Sequence, residues 1–289
     1  MIFFIDCSYT FFYRFHALQQ WSKHALKEVD DTKEKDQIIT DKFKQNYLKT
    51  MLDICRQIHH EHTYRDLPKK PRKKPLKETE HLFFWCQDTS RKNIWRTEIF
   101  PEYKEGRNNH HDIGYYFKEG LAQIKDYCQQ SEHQKNHFLL SHLNLEADDL
   151  IALGHKWLRD NKIENEISII TSDKDLLQFK DTNTYYWNCK KGGTEWNSDY
   201  NGQIDLNLKI IQGDKSDNIS GCFTGIGTKK IIDLINNPEK LEELFKQKPE
   251  ALTRYKYNKT LIDFKEIPQK YQLDVKTHMD KLELTFKQK

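Results

Sequence analysis

No apolar stretch in the 289 residues is long enough to cross a bilayer. The opening Met1-Ile2-Phe3-Phe4-Ile5 meets Asp6 too early for a signal peptide or membrane helix, which excludes a membrane partner and makes a cytoplasmic protein the expectation. The cysteines Cys7, Cys55, Cys86, Cys128, Cys189 and Cys222 include no C-x-x-C pair, so neither a disulfide framework nor a thiol redox motif is expected. A reducing compartment is the simplest setting. The histidines never fall in H-E-x-x-H order, since His59-His60-Glu61-His62 and His110-His111 both depart from it. Internal repeats and low-complexity stretches are lacking too. Lys and Arg number 47 against 44 Asp and Glu, so a general polycation is excluded and the placement of charge carries the information. The length allows one large domain or two modest ones with a sizeable core.

What the sequence does have is acid, in three clusters. Glu146, Asp148 and Asp149 stand directly ahead of Leu150, Ile151, Leu153, Trp157 and Leu158, an apolar pattern at helical spacing. Acids in a first helical turn also serve as caps and dipole partners, so this cluster alone decides nothing. Helical geometry puts Glu146 and Asp149 on one side of the turn and Asp148 elsewhere, unless the turn is irregular. Ile167-Ser168-Ile169-Ile170-Thr171 reads as a buried strand with Asp173 and Asp175 after its end, where open α/β sheets gather their active sites. Asp214 and Asp217 form the third pair. So many carboxylates repel one another unless cations lie between them. Two Mg²⁺ ions about 3.5–4 Å apart can activate a water and steady the leaving oxygen of a phosphodiester, so the pattern points to metal-dependent phosphoryl chemistry.

Along the chain, Ile2 to Ile5 reads as a central parallel strand ending at Asp6, with Ser8 capping a helix to Leu18. Asp6 is at this point either a site carboxylate or a cap. Residues 37–62 form an amphipathic helix that covers the sheet. Pro68 to Lys77 is an extended loop, either a surface linker or a phosphate-gripping arm. His81 to Cys86 is a second strand and delivers Asp88, after which Lys104 and Arg107 are spaced to hold a scissile phosphate. A helix over 113–130, a strand over His137–Leu140 and a late edge strand over Tyr185–Trp187 follow. A helix from Leu206 ends at Gly213, and Gly225-Ile226-Gly227 opens another that carries Lys229 and Lys230, a phosphate-binding arrangement.

Phe100-Pro101-Glu102-Tyr103-Lys104-x-x-Arg107, Glu146-Ala147-Asp148-Asp149, Ser172-Asp173-x-Asp175, and Gly213-Asp214-x-x-Asp217-Asn218-Ile219 ahead of Gly225-Ile226-Gly227-x-Lys229 together resemble the 5′-nuclease family. That family comprises flap endonucleases, the 5′-exonuclease domains of bacterial DNA polymerase I and bacteriophage ribonuclease H enzymes. The resemblance spans most of the chain, and Tyr255 to Phe264 is similar to the C-terminal region of the phage enzymes, which suits a viral source. It implies an α/β, PIN-like core over residues 1–204, a mostly parallel sheet flanked by helices, with a helical arch at about 105–134. Residues 205–289 would form a helix-three-turn-helix and a C-terminal helical region packed on the core.

By the same resemblance, Asp6, Asp88, Glu146, Asp148 and Asp149 would serve one Mg²⁺ and Asp173, Asp175, Asp214 and Asp217 a second. Mn²⁺ would substitute, and K⁺ would sit at the turn between the helices of 206–235. Lys104 and Arg107 resemble the cations at the base of the arch. Nucleic-acid contacts are implied at Phe12, Arg14, Arg91, Lys92, Arg96, Gly225, Gly227, Lys229 and Lys230, with a core role for Phe12 equally open. Departures are Cys7 where many relatives have glycine, Arg14 one place later than the usual arginine, an arch poor in basic residues, and a Pro68–Lys77 loop without a counterpart. The implied activity is that of a structure-dependent 5′-nuclease, a flap endonuclease and 5′→3′ exonuclease, in replication or repair. Its substrates would be branched, nicked or flapped duplex DNA or RNA–DNA hybrids, and it would act as a monomer beside proteins such as a single-strand-binding protein. A catalytically silent branched-DNA-binding protein is the rival reading, disfavoured because every acidic position is filled. A PIN-like ribonuclease is disfavoured by the Gly225-Ile226-Gly227 turn.

Overall fold

The first strand explains why the sheet has a core on each face. In the computed structural model, which describes residues 1–29, 31–72, 75–105, 114–179, 183–194 and 202–282, β1 (Ile2–Asp6) sends Ile2 and Phe4 to one side and Phe3 and Ile5 to the other. All four are fully buried, as befits the middle strand of a parallel sheet covered by helices on both faces. Next come α1 (Cys7–Ala25), α2 (Thr32–Thr63), β2 (Leu82–Gln87), α3 (Trp95–Ile99), α4 (Gly114–Gln129), β3 (His137–Ser141) and α5 (Ala147–Asp160). After β4 (Ile167–Ile170), β5 (Thr184–Asn188) and a short β6 (Gly193–Thr194), the chain is helical: α6 (Gly202–Gln212), α7 (Thr228–Asn236), α8 (Pro238–Gln247), α9 (Pro249–Ile262) and α10 (Gln269–Lys281).

Strand order is β3-β2-β1-β4-β5-β6, with β1 to β5 parallel and β6 antiparallel to β5. The chain leaves β1 on one side for β2 and β3 and returns on the other for β4, so the connections part between β1 and β4. Crevices form at the carboxyl ends of strands at such a point. The register pairs Asp6 with Cys86 and Ile5 with Ile170, which brings Asp6, Asp88 and Asp173 out at one edge. Phe3 stacks on Phe83 and Phe4 on Phe84 with centroids 5.1 and 5.0 Å apart, fixing that register with cross-strand aromatic pairs. Helices α1, α2 and α4 cover the Phe3 face, and α5 and α10 the Phe4 face. Gly154 on α5 is required there, because a Cβ would lie 2.7 Å from the Phe4 ring.

Several boundaries differ from the sequence reading. Asp6 rather than Ser8 caps α1: its extended backbone lets Oδ1 accept the Tyr9 N–H at 2.9 Å, and Ser8 lies inside the helix. β5 is not the edge strand, because the turn through Gly192, at φ 62°, returns β6 against it. α6 begins at Gly202 rather than Leu206, since no helix breaker stands between them, and it runs through the expected division at 204/205. Of the expected arch at about 105–134, residues 106–113 lie outside the described residues, and α4, within that range, packs on the core. Its Tyr116, Gly120 and Ile124 are buried, and the Tyr116 ring lies 4.7 Å from that of Phe15.

The Pro-Lys loop joins the amino end of β2, whereas the carboxylates cluster at the carboxyl end. A six-residue strand separates the two by about 20 Å. The loop is exposed at Pro68, Lys69, Lys70, Pro71 and Arg72, and the Pro71 carbonyl accepts from His60 Nε2 at 2.8 Å. Lys73 and Lys74 lie outside the described residues.

That same end holds His81, buried beneath Phe3 with its Nδ1 3.4 Å from the amino group of Met1. Burial, then the nearby ammonium, lower its pKa from 6.5 to about 3. Because the folded-state pKa is depressed, the stability from keeping His81 neutral is complete above about pH 6.5 and is lost as pH falls towards 3. About 2 kcal/mol should disappear between pH 6.5 and pH 5. Urea unfolding of wild type and His81→Phe across that range checks this. The variant should lack that share of the slope, and parallel profiles would refute the assignment.

Candidate active site

Asp6 ends β1, Asp88 follows β2, and Glu146 and Asp148 open α5 after β3. These four line a cleft of about 570 Å³ whose far wall carries Asp173, Asp214 and Asp217. Asp6 Oδ2 accepts from Thr171 Oγ1 at 2.8 Å, yet burial and then Asp88 push its carboxyl up to about 7. Burial also raises Asp88, although Oδ1 accepts the Ala147 N–H at 2.7 Å. Asp148 is raised well above the usual carboxylate range by burial and by Glu146 and Asp149. Glu146 goes the other way. Burial opposes its ionisation, but Lys104 Nζ at 2.5 Å and Arg96 Nη1 at 3.1 Å outweigh it and lower the pKa.

Glu146 is the N-cap of α5 and Asp149 its N3 residue, and their side chains complete a capping box. Glu146, in extended backbone, reaches Lys104, while Asp149 turns inward. Arg96 Nη1 and Nη2 donate to the two Asp149 oxygens at 2.9 and 2.8 Å, Trp95 Nε1 donates at 3.1 Å, and the Glu146 N–H at 3.2 Å. This bears on one expectation, for Asp149, and corrects another, for Arg96. Asp149 belongs with Glu146 and Asp148 in space, their oxygens lying within 4.8 Å of one another, but its own oxygens are taken by protein donors. Arg96 is 2% exposed, with Nε donating to Leu261 O at 2.7 Å, so it is a buried counter-ion and not a nucleic-acid contact. In sequence it looked like one more cation after Asp88.

Lys104 adopts φ 58°, a left-handed conformation unfavourable for lysine, held by its N–H on Asp217 O at 3.1 Å. Tyr103 OH bridges Glu146 Oε2 at 3.2 Å and Asp217 Oδ2 at 3.0 Å. Asp217, expected with the second carboxylate group, therefore sits at the seam between the two. Gly213, at φ 75°, makes the bend that presents Asp214, and a Cβ there would meet Ile219 O at 2.3 Å.

The second group is organised by Lys209, which the sequence reading missed. Its ammonium lies 2.5 Å from both Asp175 oxygens and 2.7 Å from Asp214 Oδ2. Asp175 is nonetheless pushed up to about 7 by burial and Asp173, while Asp214, where Lys209 and Ser216 outweigh burial, falls to about 2. The available signal is a single cation in the otherwise uncharged, mostly apolar run Leu206-Asn207-Leu208-Lys209-Ile210-Ile211.

Of the expected nucleic-acid contacts, Phe12 lines the cleft, is 37% exposed and rests edge-on against Phe117, so it is not a core residue. Arg14 is half-buried, and its Nε has no hydrogen-bond partner among the described residues. Arg91 Nε donates to Tyr103 O at 3.2 Å, and Lys92 is exposed. Gly225 has φ 72°, Gly227 is the N-cap of α7, and Lys229 and Lys230 are exposed in its first turn. Arg107 lies outside the described residues.

The donor set fits hard divalent cations: it consists of carboxylate oxygens, and these outnumber the cations bonded to them, Arg96, Lys104 and Lys209. The other candidate among the described residues, Glu78 with His133 and His137, does not fit. Trp85 Nε1 donates to His137 Nδ1 at 3.3 Å, which assigns the proton to Nε2, and that proton is given to Glu78 at 2.9 Å.

The sequence model of the family described as 5′-3′ exonuclease, N-terminal resolvase-like domain, matches residues 1–204. DNA polymerase I of Lactococcus lactis subsp. cremoris is 33% identical over 186 residues, which cover 61% of this chain and 20% of that protein. The 5′-3′ exonuclease of Mycoplasmopsis pulmonis is 34% identical over 159 residues, 52% of this chain and 50% of that one. The chain thus matches a fifth to half the length of these relatives. A solved structure of the bacteriophage T5 flap endonuclease, a pseudo-enzyme-product complex with DNA and metal ions, aligns over 97% of this chain and 98% of that one. Its TM-score of 0.60 at 15% identity is a likeness of fold.

Proposed function

This chain belongs to the 5′-nuclease family, and from that premise we propose that it is a structure-dependent 5′-nuclease, a flap endonuclease and 5′→3′ exonuclease on branched, nicked or flapped duplex DNA and RNA–DNA hybrids. The observation that carries the reading is the under-neutralised cleft, where Asp6 and Asp148 are pushed up by burial and by neighbouring carboxylates. Divalent ions bound there supply a nucleophilic water near neutral pH and relieve charge on the leaving oxygen. Asp6, Asp88, Glu146 and Asp148 would hold one Mg²⁺, and Asp173, Asp175 and Asp214 the second, with Asp217 shared and Mn²⁺ able to replace either.

Lys104 stabilises negative charge on the scissile phosphate, with Arg107 as its partner. Arg96, Asp149 and Tyr103 are positioning residues that hold Glu146 in place. The α6–α7 unit acts as a helix-three-turn-helix: Gly225 and Gly227 let a duplex backbone approach, Lys229 and Lys230 pair with its phosphates, and the turn would hold a K⁺. Phe12 stacks on an unpaired base. In this division residues 1–204 carry the chemistry and 205–289 the grip, working as a monomer alongside a single-strand-binding protein. No helix among the described residues is long and apolar enough to cross a membrane.

The test uses 5′-labelled flap, nicked, blunt and RNA-primed duplexes in Mg²⁺, with product lengths mapped. Short products from the 5′ end, with cuts near the junction of the flap, are expected. Binding without cleavage would favour the silent DNA-binding protein, and preference for single-stranded RNA the ribonuclease.

A further inference from the structure

Lys209 is the single cation of α6, and Leu206, Leu208, Ile210 and Ile211 are its apolar neighbours in sequence. Three oxygens of two carboxylates, both of Asp175 and one of Asp214, surround its ammonium within 2.7 Å. A compact point charge gathering carboxylate oxygens from two segments has the surroundings of a bound cation. We propose that Lys209 is an internal cation that occupies the second metal position in the metal-free protein and must withdraw before a divalent ion can enter. This rests on the metal-dependent reading of the cleft.

Two consequences follow from charge alone. Without a metal, Lys209 relieves repulsion among Asp173, Asp175 and Asp214, so the ligand loops keep their places. When an ion arrives, the ammonium competes for the same oxygens, so the second site binds more weakly than its carboxylates would allow. A flexible four-carbon stem suits a group that must move aside, and the side chain is 25% exposed, which leaves it a route to solvent. The competing reading makes Lys209 a permanent brace, whose loss would loosen the ligands and weaken metal binding.

Calorimetric titration of Mn²⁺ into wild type and Lys209→Met, without DNA and at pH 8.5 so that the carboxylates are ionised, separates the two. Thermal melts in EDTA and in Mn²⁺ accompany it. The variant should melt lower than wild type in EDTA but bind Mn²⁺ at the weaker site on the order of tenfold more tightly, since repulsion between an ammonium and a dication a few ångström apart survives even water-like screening. Mn²⁺ should also raise its Tm by more than that of wild type. Lys209→Gln serves the same purpose if the Met variant does not fold. Unchanged or weaker Mn²⁺ affinity, with wild type still binding two ions, would overturn this proposal and leave the metal reading standing. No binding to either protein would overturn both.

Discussion

Replacing Asp173 and Asp175 together by asparagine is expected to lower single-turnover cleavage by about a thousandfold or more, while affinity for branched duplex DNA holds or rises. Both residues stand just beyond the carboxyl end of β4, and Asp173 Oδ1 accepts the Asp175 N–H at 2.9 Å. Asparagine keeps the shape and an acceptor there but removes the two charges that would hold the second ion. Losing one preorganised electrostatic group in an active site costs about 10²–10³ in rate, and this change removes an ion's main ligands. Removing negative charge from the cleft also lessens its repulsion of DNA phosphates, so binding should not suffer. Lys229→Ala with Lys230→Ala should do the reverse, lowering the magnitude of the log-affinity against log-salt slope by roughly 0.9 for each lost phosphate contact. Anisotropy at several salt concentrations, beside cleavage at saturating enzyme, measures both. Lost binding in the aspartate pair with an intact slope in the lysine pair would reverse the assigned roles.

Arg96→Met is expected to destabilise the fold by about 3–5 kcal/mol, the usual cost of leaving buried charges without their partner. Asp149 is fully buried and Glu146 nearly so, and the Leu261 carbonyl would lose its donor as well. Glu146 would keep Lys104 and the Tyr103 hydroxyl, but among the described residues Asp149 would retain only Trp95 Nε1 and the Glu146 N–H. Arg96→Lys should recover little, because one ammonium cannot reach both Asp149 oxygens and the Leu261 carbonyl as the guanidinium fork does. Urea unfolding measures the loss. A change below about 1 kcal/mol accompanied by a shallower salt slope of DNA binding would instead make Arg96 a phosphate contact.

Much of the fold could be read locally. The run Ile2–Ile5 is wholly apolar and Ile167–Ile170 is interrupted only by Ser168, which marks strands buried on both faces, and an acid after each marks the edge where they end. That pattern alone puts Asp6 and Asp173 at one sheet edge. The first turn of α5 was harder. Spacing pairs Glu146 with Asp149 and sets Asp148 apart, whereas the capped backbone turns Glu146 and Asp148 to the cleft and Asp149 to Arg96. Arg96 itself could not be read, because its carboxylate partners lie about fifty residues away at the start of α5 and its carbonyl partner, Leu261, lies 165 residues away near the end of α9. Lys209 was obscured similarly: nothing within α6 shows that Asp175 approaches from beyond β4. The Pro-Lys loop was legible as exposed, but its distance from the carboxylates depends on the direction of β2.

Divalent ions acting in the carboxylate cleft are the premise of the proposed chemistry, and metal dependence of single-turnover cleavage tests it most directly. Protein stripped with EDTA and given a 5′-labelled flap should be inert, and added Mg²⁺ or Mn²⁺ should restore cuts near the junction of the flap. Undiminished cleavage in excess EDTA would contradict it.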